Sequence, residues 1–335
     1  MRILFGFALI LLLAFGALPA SAEEPSREVC LGILGLDAHG LPFTQIVNDP
    51  KKTGDLLGVR VVAAWPGGSP DVPASREILG RSVEPVRKLG VEILDSVDAV
   101  LRKSDAVLIL SIDGRTHMEL ARATIAARKP FFIDKPVAAS LADTIRIFEL
   151  ARQAGVPCFT SSSLRYSRGV YGMRDDKAVG KVLGCDAYGP NAPLEPSHPD
   201  LFYYGIHGSE LLFTIMGPGC VSVSRTRADD ADFVVGVWND GRVGTLRGIR
   251  QGAGGFGATV FGTKGVQPAG KFEGYAPLLV EIARFFRTGK PPVEVEQTLE
   301  IYTFMEAADE SKRQGGRPVT LESVLARARA AAQSK

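Results

Sequence analysis

Residues 105–136, DAVLILSIDGRTHMELARATIAARKPFFIDKP, contain the pattern that decides the fold. The apolar run 106–110 is typical of a buried strand, and the polar turn 111–117 leads from it into a helix whose apolar residues share one face. A second apolar run, 131–133, ends at Asp134-Lys135-Pro136. The stretch therefore predicts a strand-helix-strand unit.

The two strands of such a unit run parallel, so their carboxyl ends meet at one edge of the sheet. Asp113 and His117 follow the first strand, and Asp134 and Lys135 follow the second. Open α/β sheets bind their ligands at this edge. We therefore expect these four side chains to gather there and to form part of the functional site.

The tripeptide Asp134-Lys135-Pro136 resembles the Glu-Lys-Pro signature of the Gfo/Idh/MocA family, the group of glucose-fructose oxidoreductase and inositol dehydrogenase. Its position directly after a strand adds to the resemblance. In that family the lysine is aimed at nicotinamide and substrate. The resemblance implies a functional role for Lys135, whereas a lysine after a strand is by default a solvated surface charge.

A second segment, just before the predicted antiparallel strands, is similar to the second-domain motif of the same family. That motif has an aspartate two residues before a glycine, a histidine two residues after it and an acid three residues further on. Gly205, His207 and Glu210 match this spacing. Tyr203 takes the place of the first aspartate. The resemblance implies NAD or NADP as cofactor, a sugar or polyol as substrate, and acid–base work shared by Lys135 and His207.

The dinucleotide fingerprint GxGxxG is only partly present. Gly35 and Gly40 match its first and third glycines, but Asp37 stands where the second glycine lets the backbone approach the diphosphate. A carboxylate there would face a dianionic group and repel it. The strand at 59–64 continues into Trp65-Pro66-Gly67-Gly68-Ser69-Pro70 instead of the usual ribose-binding acid. Both departures argue against an ordinary dinucleotide pose.

The candidate site residues fall into two groups. Arg165 could hold a polar ligand at the domain junction, and His39 lies at a predicted crevice position. For His117, at a helix start, a neutral capping role is the alternative. The expected cofactor contacts are Gly35, Asp37, Gly40, Ser111, Asp113, His117, Asp134, Lys135 and Pro136. The expected substrate contacts are His39, Arg165, Tyr203 and Glu210.

Four residues at the same edge of the sheet have side chains that can bind metals. Asp37, His39, Asp113 and His117 are ligand types that suit zinc or manganese. Hydrogen bonding to sugar hydroxyls explains the same residues without an ion. We therefore predict no metal.

The fold class follows from the order of the patterns. Strands near residues 29, 59, 91, 106, 131 and 156 alternate with helices, which predicts a Rossmann-type doubly wound parallel sheet over 28–160. Alternating strands and tight turns, including Asn239-Asp240-Gly241, predict an α+β domain with a mainly antiparallel sheet over 161–335. This domain is expected to serve the substrate and oligomerisation.

The amino terminus predicts export. One arginine, Arg2, precedes the apolar run 3–18, and Ala20-Ser21-Ala22 provides a cleavage site, so residues 1–22 read as a Sec-type signal peptide. An uncleaved anchor is the alternative. We expect a periplasmic or extracellular protein with no membrane span after cleavage. A twin-arginine signal, which would export a folded protein with its cofactor, is missing.

Length and net charge limit the number of domains and the functional classes that the sequence allows. The 335 residues are long for one core, and a net charge of +2 gives no electrostatic footprint for nucleic acid. A disulfide between Cys185 and Cys220 stays open, as does a homo-oligomer. The sequence predicts an NAD(P)-dependent oxidoreductase acting on a sugar or polyol. The alternative is an exported, cofactor-free relative that binds carbohydrate or performs non-redox chemistry, and an interaction scaffold is a weaker third.

Overall fold

The computed structural model describes residues 28–191 and 198–334. The predicted signal peptide lies outside these residues. Across both described ranges, no helix combines the length and apolar character needed to cross a membrane.

Six parallel strands form the first sheet, and five helices alternate with them. The strands are β1 (Val29–Leu34), β2 (Val59–Trp65), β3 (Glu92–Ile93), β4 (Ala106–Ile109), β5 (Phe131–Ile133) and β6 (Cys158–Phe159). The helices are α1 (Gly40–Val47), α2 (Pro73–Lys88), α3 (Val97–Lys103), α4 (Gly114–Ala126) and α5 (Leu141–Ala154). The strand order β3-β2-β1-β4-β5-β6 places the topological switch between β1 and β4. The doubly wound sheet predicted from the sequence is confirmed.

The central strands are apolar throughout because helices cover both faces of the sheet. Every residue of β4 and β5 is buried. The helix after the Asp134-Lys135-Pro136 turn is bounded by local signals: the Ser140 side chain accepts a hydrogen bond from the Asp143 amide, and Gly155 ends the helix with a φ of 65°. These signals fix where the chain leaves and re-enters the sheet.

The second sheet has seven strands in a mixed arrangement. Its strands are β7 (Val182–Pro190), β8 (Cys220–Arg227), β9 (Ala231–Trp238), β10 (Val243–Ile249), β11 (Gly257–Gly262), β12 (Val266–Ala269) and β13 (Val319–Thr320). Its order is β12-β11-β7-β10-β9-β8-β13, with β7 and β10 parallel and the other pairs antiparallel. The predicted turn at Asn239-Asp240-Gly241 joins β9 to β10. The predicted, mainly antiparallel sheet is confirmed.

Four helices complete the described chain: α6 (Gly205–Met216), α7 (Ala276–Thr288), α8 (Val295–Arg313) and α9 (Leu321–Gln333). Helix α6 packs on the second sheet, and His207 is the one residue in it that is not buried. A helix that is apolar nearly all round belongs in the interior. The partial exposure of His207 therefore marks the place where α6 meets a cavity.

The carboxyl-terminal part of the chain contacts both sheets. Phe285 of α7 meets Phe159 of β6 edge-on, with ring centroids 5.0 Å apart. The Tyr302 hydroxyl of α8 accepts a hydrogen bond of 2.8 Å from the Val137 amide, just after Pro136. The turn that contains Lys135 is therefore held from outside its own sheet. The predicted domain boundary after residue 160 stays a prediction.

The disulfide between Cys185 and Cys220 is not formed. Both are free, buried thiols, and burial raises the pKa of each to about 12. They behave as small apolar residues of the core.

Replacing Tyr302 with phenylalanine tests the link between α8 and the lysine turn. The change leaves the buried Val137 N–H without its acceptor, so we expect Tyr302→Phe to lower the free energy of unfolding by about 1–3 kcal/mol in urea denaturation. Tyr171→Phe, on a ring that is 65% exposed, is the control and should change it by less than about 0.5 kcal/mol. Equal effects of the two variants would contradict the assigned role.

Candidate functional site

Three buried aspartates follow the three central strands of the first sheet. Asp37 comes after β1, Asp113 after β4 and Asp134 after β5, and their exposed fractions are 0%, 1% and 2%. A buried carboxylate is stable only with hydrogen-bond donors or opposite charges around it. The hydrogen-bond donors of each aspartate therefore determine how the loops are arranged at the carboxyl-terminal edge of the first sheet.

Asp134 joins the lysine turn to the start of α1. Its Oδ2 lies 2.5 Å from His39 Nδ1, and its Oδ1 accepts a hydrogen bond of 2.8 Å from the Lys135 amide. Burial opposes ionisation of Asp134, but the charges of His39 and Lys135 and these hydrogen bonds outweigh it and lower its pKa. The His39 ring also contacts Phe43 and Tyr275, at centroid distances of 5.2 and 4.9 Å. His39 is thus fixed from three sides.

Lys135 reaches into the interior rather than into solvent. It is 8% exposed, and its Nζ lies 5.7 and 5.5 Å from the ring centroids of Tyr203 and Tyr204. Burial lowers the pKa of Lys135, against the opposing effect of the Asp134 charge. An amine with a lowered pKa can act as a base near neutral pH.

His207 faces the same space from α6. Its Nδ1 lies 2.7 Å from Ser162 Oγ, and its ring meets Tyr204 and Phe256 edge-on. Ser162 Oγ accepts from the Leu164 amide, so its hydroxyl hydrogen can point to Nδ1 and leave the ring proton on Nε2. Burial, followed by the charges of Lys135 and His39, holds the pKa of His207 well below its usual value. The ring is neutral at pH 7.

These side chains enclose a cavity of about 160 Å³. Ligand clefts for drug-sized molecules are roughly 300–1,000 Å³, so this one suits a small molecule. Hydrogen-bonding groups and aromatic faces share the walls, as recognition of a hydroxylated carbon skeleton requires. The lining residues are His39, Lys135, Ser163, Leu164, Tyr204, His207, Phe256, Phe272 and Tyr275.

Glu210 and Arg165 support one wall of the cavity from behind. Glu210 Oε1 accepts from Arg165 Nε at 2.7 Å and from Ser161 Oγ at 2.6 Å, and Oε2 accepts from the Ser162 amide at 2.7 Å. Both side chains are buried. Their geometry places Ser162, and through it His207. Neither Glu210 nor Arg165 lines the cavity.

Asp200 holds the segment that carries Tyr203 and Tyr204. It accepts hydrogen bonds from Arg225 Nη2 at 2.7 Å, Arg250 Nη2 at 2.6 Å and Lys312 Nζ at 2.6 Å. Burial opposes ionisation of Asp200, but these cations hold its pKa well below its usual value. The segment with the two tyrosines beside Lys135 is thus anchored to β8, to the end of β10 and to α8.

The turn after β1, residues 35–40, which we call the glycine turn, is covered by other residues of the chain. Asp37 Oδ2 accepts a hydrogen bond of 2.6 Å from Ser75 Oγ, and its Oδ1 accepts one of 3.3 Å from the Ile112 amide. The amides of Gly35 and Leu36 donate to the carbonyl oxygens of Trp65 and Pro66, at 2.9 and 2.8 Å. Residue 37, at the second glycine position, is inaccessible in this arrangement.

Residues 66–75, which we call the covering segment, run from β2 across this turn towards β4. Ser69 Oγ donates to Asp113 Oδ2 at 2.7 Å, and the Ser69 amide donates to Ser75 Oγ at 2.8 Å. A Cβ added at Gly67 would lie 3.3 Å from Gly35 Cα, so the two backbones are in contact. A dinucleotide in the fingerprint pose needs its diphosphate against the amides of this turn. The residues present do not fit it in that pose.

Asp113 is also held by groups outside the covering segment. Arg115 Nη2 donates to its Oδ2 at 2.6 Å. Burial opposes ionisation of Asp113, but the hydrogen bonds from Arg115 and Ser69 lower its pKa to about 2. His198 Nε2 accepts from the Gly114 amide at 2.9 Å, and burial lowers the pKa of His198 to about 4. A neutral His198 matches its role as an acceptor.

The other predicted contacts are buried structural groups. His117 is 0% exposed, and its ring nitrogens lie 2.9 Å from the Ser111 carbonyl oxygen and 3.2 Å from that of Val137. Burial lowers the pKa of His117, and a neutral ring has one N–H, so it can donate to only one of these two oxygens at a time. Within residues 28–191 and 198–334, no three His, Cys, Asp or Glu side chains are placed to hold a metal.

The structure therefore brings together three of the predicted residues, His39, Lys135 and His207, around one cavity. Tyr203 lies beside Lys135, but Tyr204 lines the cavity. The sequence analysis did not identify the other lining residues. Ser163 follows β6 at the predicted edge, which was an available signal, whereas Phe256, Phe272 and Tyr275 come from distant loops.

Residues 32–162 match the family model GFO_IDH_MocA, described as an oxidoreductase family with an NAD-binding Rossmann fold. The match includes both the glycine turn and the lysine turn. This part of the chain is similar to the Gfo/Idh/MocA family. The family resemblance predicted from Asp134-Lys135-Pro136 is confirmed.

Curated relatives carry the name of inositol dehydrogenases. The inositol 2-dehydrogenase of Paracoccus denitrificans is 33% identical over 159 residues, which are 46% of this chain and 42% of that protein. The myo-inositol 2-dehydrogenase of Thermotoga maritima is 30% identical over 184 residues, 48% of this chain and 55% of that protein. The chain thus spans about half the length of the curated relatives it matches.

Solved structures share the fold over both sheets. The apo scyllo-inositol dehydrogenase of Lactobacillus casei has a TM-score of 0.71 at 16% identity, covering 89% of this chain and 100% of that one. The Lactobacillus casei myo-inositol dehydrogenase in complex with NAD(H) and myo-inositol has a TM-score of 0.68 at 16% identity, covering 87% and 96%. At 16% identity, these structural similarities show the fold alone.

Replacing Asp37 with asparagine tests whether its carboxylate is held as described. Burial raises the pKa of Asp37, against the hydrogen bonds from Ser75 and Ile112, so its ionisation costs stability as the pH rises above the usual aspartate pKa of about 3.9. Asparagine removes the charge and replaces one of the two accepting oxygens with an NH2 group, so the change of the difference with pH reports the charge. We expect Asp37→Asn to gain unfolding free energy relative to wild type between about pH 4.5 and pH 8.

The control is Asp95→Asn on an exposed side chain, which reports the background effect of removing one negative charge. Urea denaturation at each pH provides the measurement. An Asp37→Asn advantage that shrinks as the pH rises would contradict the burial of this carboxylate.

Proposed function

We propose that this chain is an enzyme that binds a small polyol or sugar between His39, Lys135 and His207 and moves protons with the last two. One observation carries the proposal: a lysine and a histidine, each with its pKa lowered by burial, line the same small cavity. Pairs of titratable groups with perturbed pKa in one cavity are typical of catalytic sites. The names of the inositol dehydrogenase relatives support the substrate class.

Each residue has a distinct task in this proposal. Lys135 Nζ, unprotonated in a larger fraction of molecules than an exposed lysine, accepts a proton from the substrate. His207, with Ser162 at Nδ1, donates from Nε2 to a substrate oxygen. His39, fixed by Asp134, hydrogen-bonds a further hydroxyl. Tyr204 and Tyr275 pack against the carbon skeleton and exclude water.

An NAD- or NADP-dependent oxidation of the polyol is the second candidate function. It is favoured by the match of residues 32–162 to an NAD-binding family model. A bound dinucleotide would accept hydride from the substrate carbon. Because the residues around Gly35 do not fit a dinucleotide in the fingerprint pose, we assign no step of the mechanism to it. The proton transfers at Lys135 and His207 are common to both candidates.

Export and self-association belong to the same proposal. The sequence at residues 1–22 supports export to the periplasm or the extracellular space. Large apolar side chains exposed on the second sheet, among them Tyr188, Phe233 and Phe261, support a homo-oligomer. The expected partner in the cavity is a small molecule, and the near-neutral charge supports no role with nucleic acid.

Calorimetric titration with a panel of inositols, hexoses and linear polyols tests the proposed ligand class. We expect saturable binding of at least one compound, and Lys135→Met should weaken it by removing a hydrogen-bonding charge from the cavity wall. Lys177→Met, on an exposed lysine, is the control and should bind as the wild type does. Equal affinity of wild type and Lys135→Met would contradict the proposal that the ligand binds in this cavity.

A further inference from the structure

The crevice that holds the dinucleotide in this fold is filled by the chain's own residues. The covering segment, residues 66–75, contacts the glycine turn through the hydrogen bond from the Leu36 amide to the Pro66 carbonyl oxygen, next to the bond from the Gly35 amide to Trp65 at the end of β2. It also supplies Ser75 to Asp37 and Ser69 to Asp113. The amides of Gly35 and Leu36 and the carboxylates of Asp37 and Asp113 thus already have partners inside the protein.

The Asp37 carboxylate makes its hydrogen bonds within the chain. Each oxygen of the Asp37 carboxylate has a donor, and Ser75 Oγ both donates to Asp37 and accepts from the Ser69 amide. Displacing the covering segment would remove the Ser75 donor and leave the buried Asp37 carboxylate with the Ile112 amide alone, beside an incoming dianion. Both the lost hydrogen bonds and the charge repulsion oppose that displacement.

The cavity at Lys135 remains accessible while the crevice is closed. His39, Lys135 and His207 line it, and neither the covering segment nor Asp37 contributes to its walls. A base and a hydrogen-bond donor are therefore available to a small molecule without a hydride acceptor beside them. A carbon that bears only a hydroxyl group is too weak an acid for Lys135 to deprotonate. Without redox chemistry, the carbon must be acidified by a neighbouring carbonyl.

We propose that this chain works without a dinucleotide and that Lys135 enolises a carbonyl-bearing sugar or oxidised polyol in the cavity. This inference rests on the proposed function for the ligand class and adds the oxidation state of the substrate. Lys135 Nζ removes the proton from the carbon next to the carbonyl. The C–H electron pair becomes the carbon–carbon double bond, and the carbonyl π electrons move to oxygen, which accepts a hydrogen bond from His207.

The step balances without an external oxidant or reductant. Returning the proton from Lys135 to the same carbon restores the carbonyl compound with no net change in electrons. In deuterated water, the returned proton is replaced by a deuteron. An oxidation by another enzyme must supply such a substrate, because the carbonyl is already present when the compound binds.

The first arm of the test concerns the closed crevice. Native mass spectrometry of the full purified chain should show no bound nucleotide. Calorimetric titration with NAD, NADH, NADP and NADPH should show no binding up to about 1 mM, weaker than roughly −4 kcal/mol. A copurified nucleotide, or saturable binding of any of the four in the micromolar range, would overturn the inference.

The second arm follows deuterium incorporation by proton NMR, using keto-inositols, ketohexoses and aldohexoses as probes. The wild type and the control Lys177→Met should exchange the proton next to the carbonyl, and Lys135→Met should be slower by about 10²-fold or more. The same rate in Lys135→Met, or no exchange in any carbonyl compound that binds, would overturn the inference.

The two arms separate this inference from the proposed function. If no polyol, sugar or carbonyl compound binds the cavity, the proposed function fails with it. If compounds bind but none exchanges a proton, the proposed function stands and the enolisation fails. Circular dichroism of Lys135→Met confirms that the variant is folded before its rate is compared.

Discussion

Buried carboxylates must have donors, and this constraint shapes the functional edge of the protein. Asp37, Asp113 and Asp134 end three adjacent parallel strands, and each is at most 2% exposed. The donors of Asp37 and Asp113 come largely from the covering segment and from the loop after β4. The donors of Asp134 come from His39 and the Lys135 amide. The edge is closed around Asp37 and Asp113. Beside Asp134, where His39 and Lys135 line it, the edge forms a cavity.

The cavity depends on both sheets. The first sheet supplies Lys135 and His39, and α6 supplies His207 from the second. Arg225 of the second sheet also pairs with Asp200, near Tyr204 in the chain, and Tyr302 holds the lysine turn. Burial between the two sheets lowers the pKa of both Lys135 and His207. The proton transfers proposed for these residues therefore depend on packing, because in solvent both side chains would keep their ordinary pKa values.

The sequence predicted the parts of this architecture that local patterns encode. Apolar runs with flanking turns located the six parallel strands, and the pairing of β1 with β4 brought Asp37 and Asp113 to one edge as expected. Two short strands, β12 and β13, were missed because a run of two to four residues has no readable period. The spacing around Gly205 located His207, because a helix start is a local feature.

The sequence could not predict where side chains would find distant partners. It placed the Asp37 carboxylate opposite a diphosphate, whereas the structure turns it towards Ser75 and Ile112, 38 and 75 residues away. Arg165 was expected at the ligand and instead pairs with Glu210, 45 residues away. Such contacts depend on the path of the loops across the edge of the sheet, and the local hydrophobic periodicity of the sequence does not predict that path.

Hydrogen exchange of the backbone amides around the glycine turn tests the central claim, that the covering segment closes this edge, most directly. The amides of Gly35, Leu36 and Ile112 all donate to groups of this chain. The account predicts slow exchange of these amides without any ligand, and unchanged rates when NADH is added in excess. Rapid exchange without ligand, with protection appearing on addition of NADH, would contradict it.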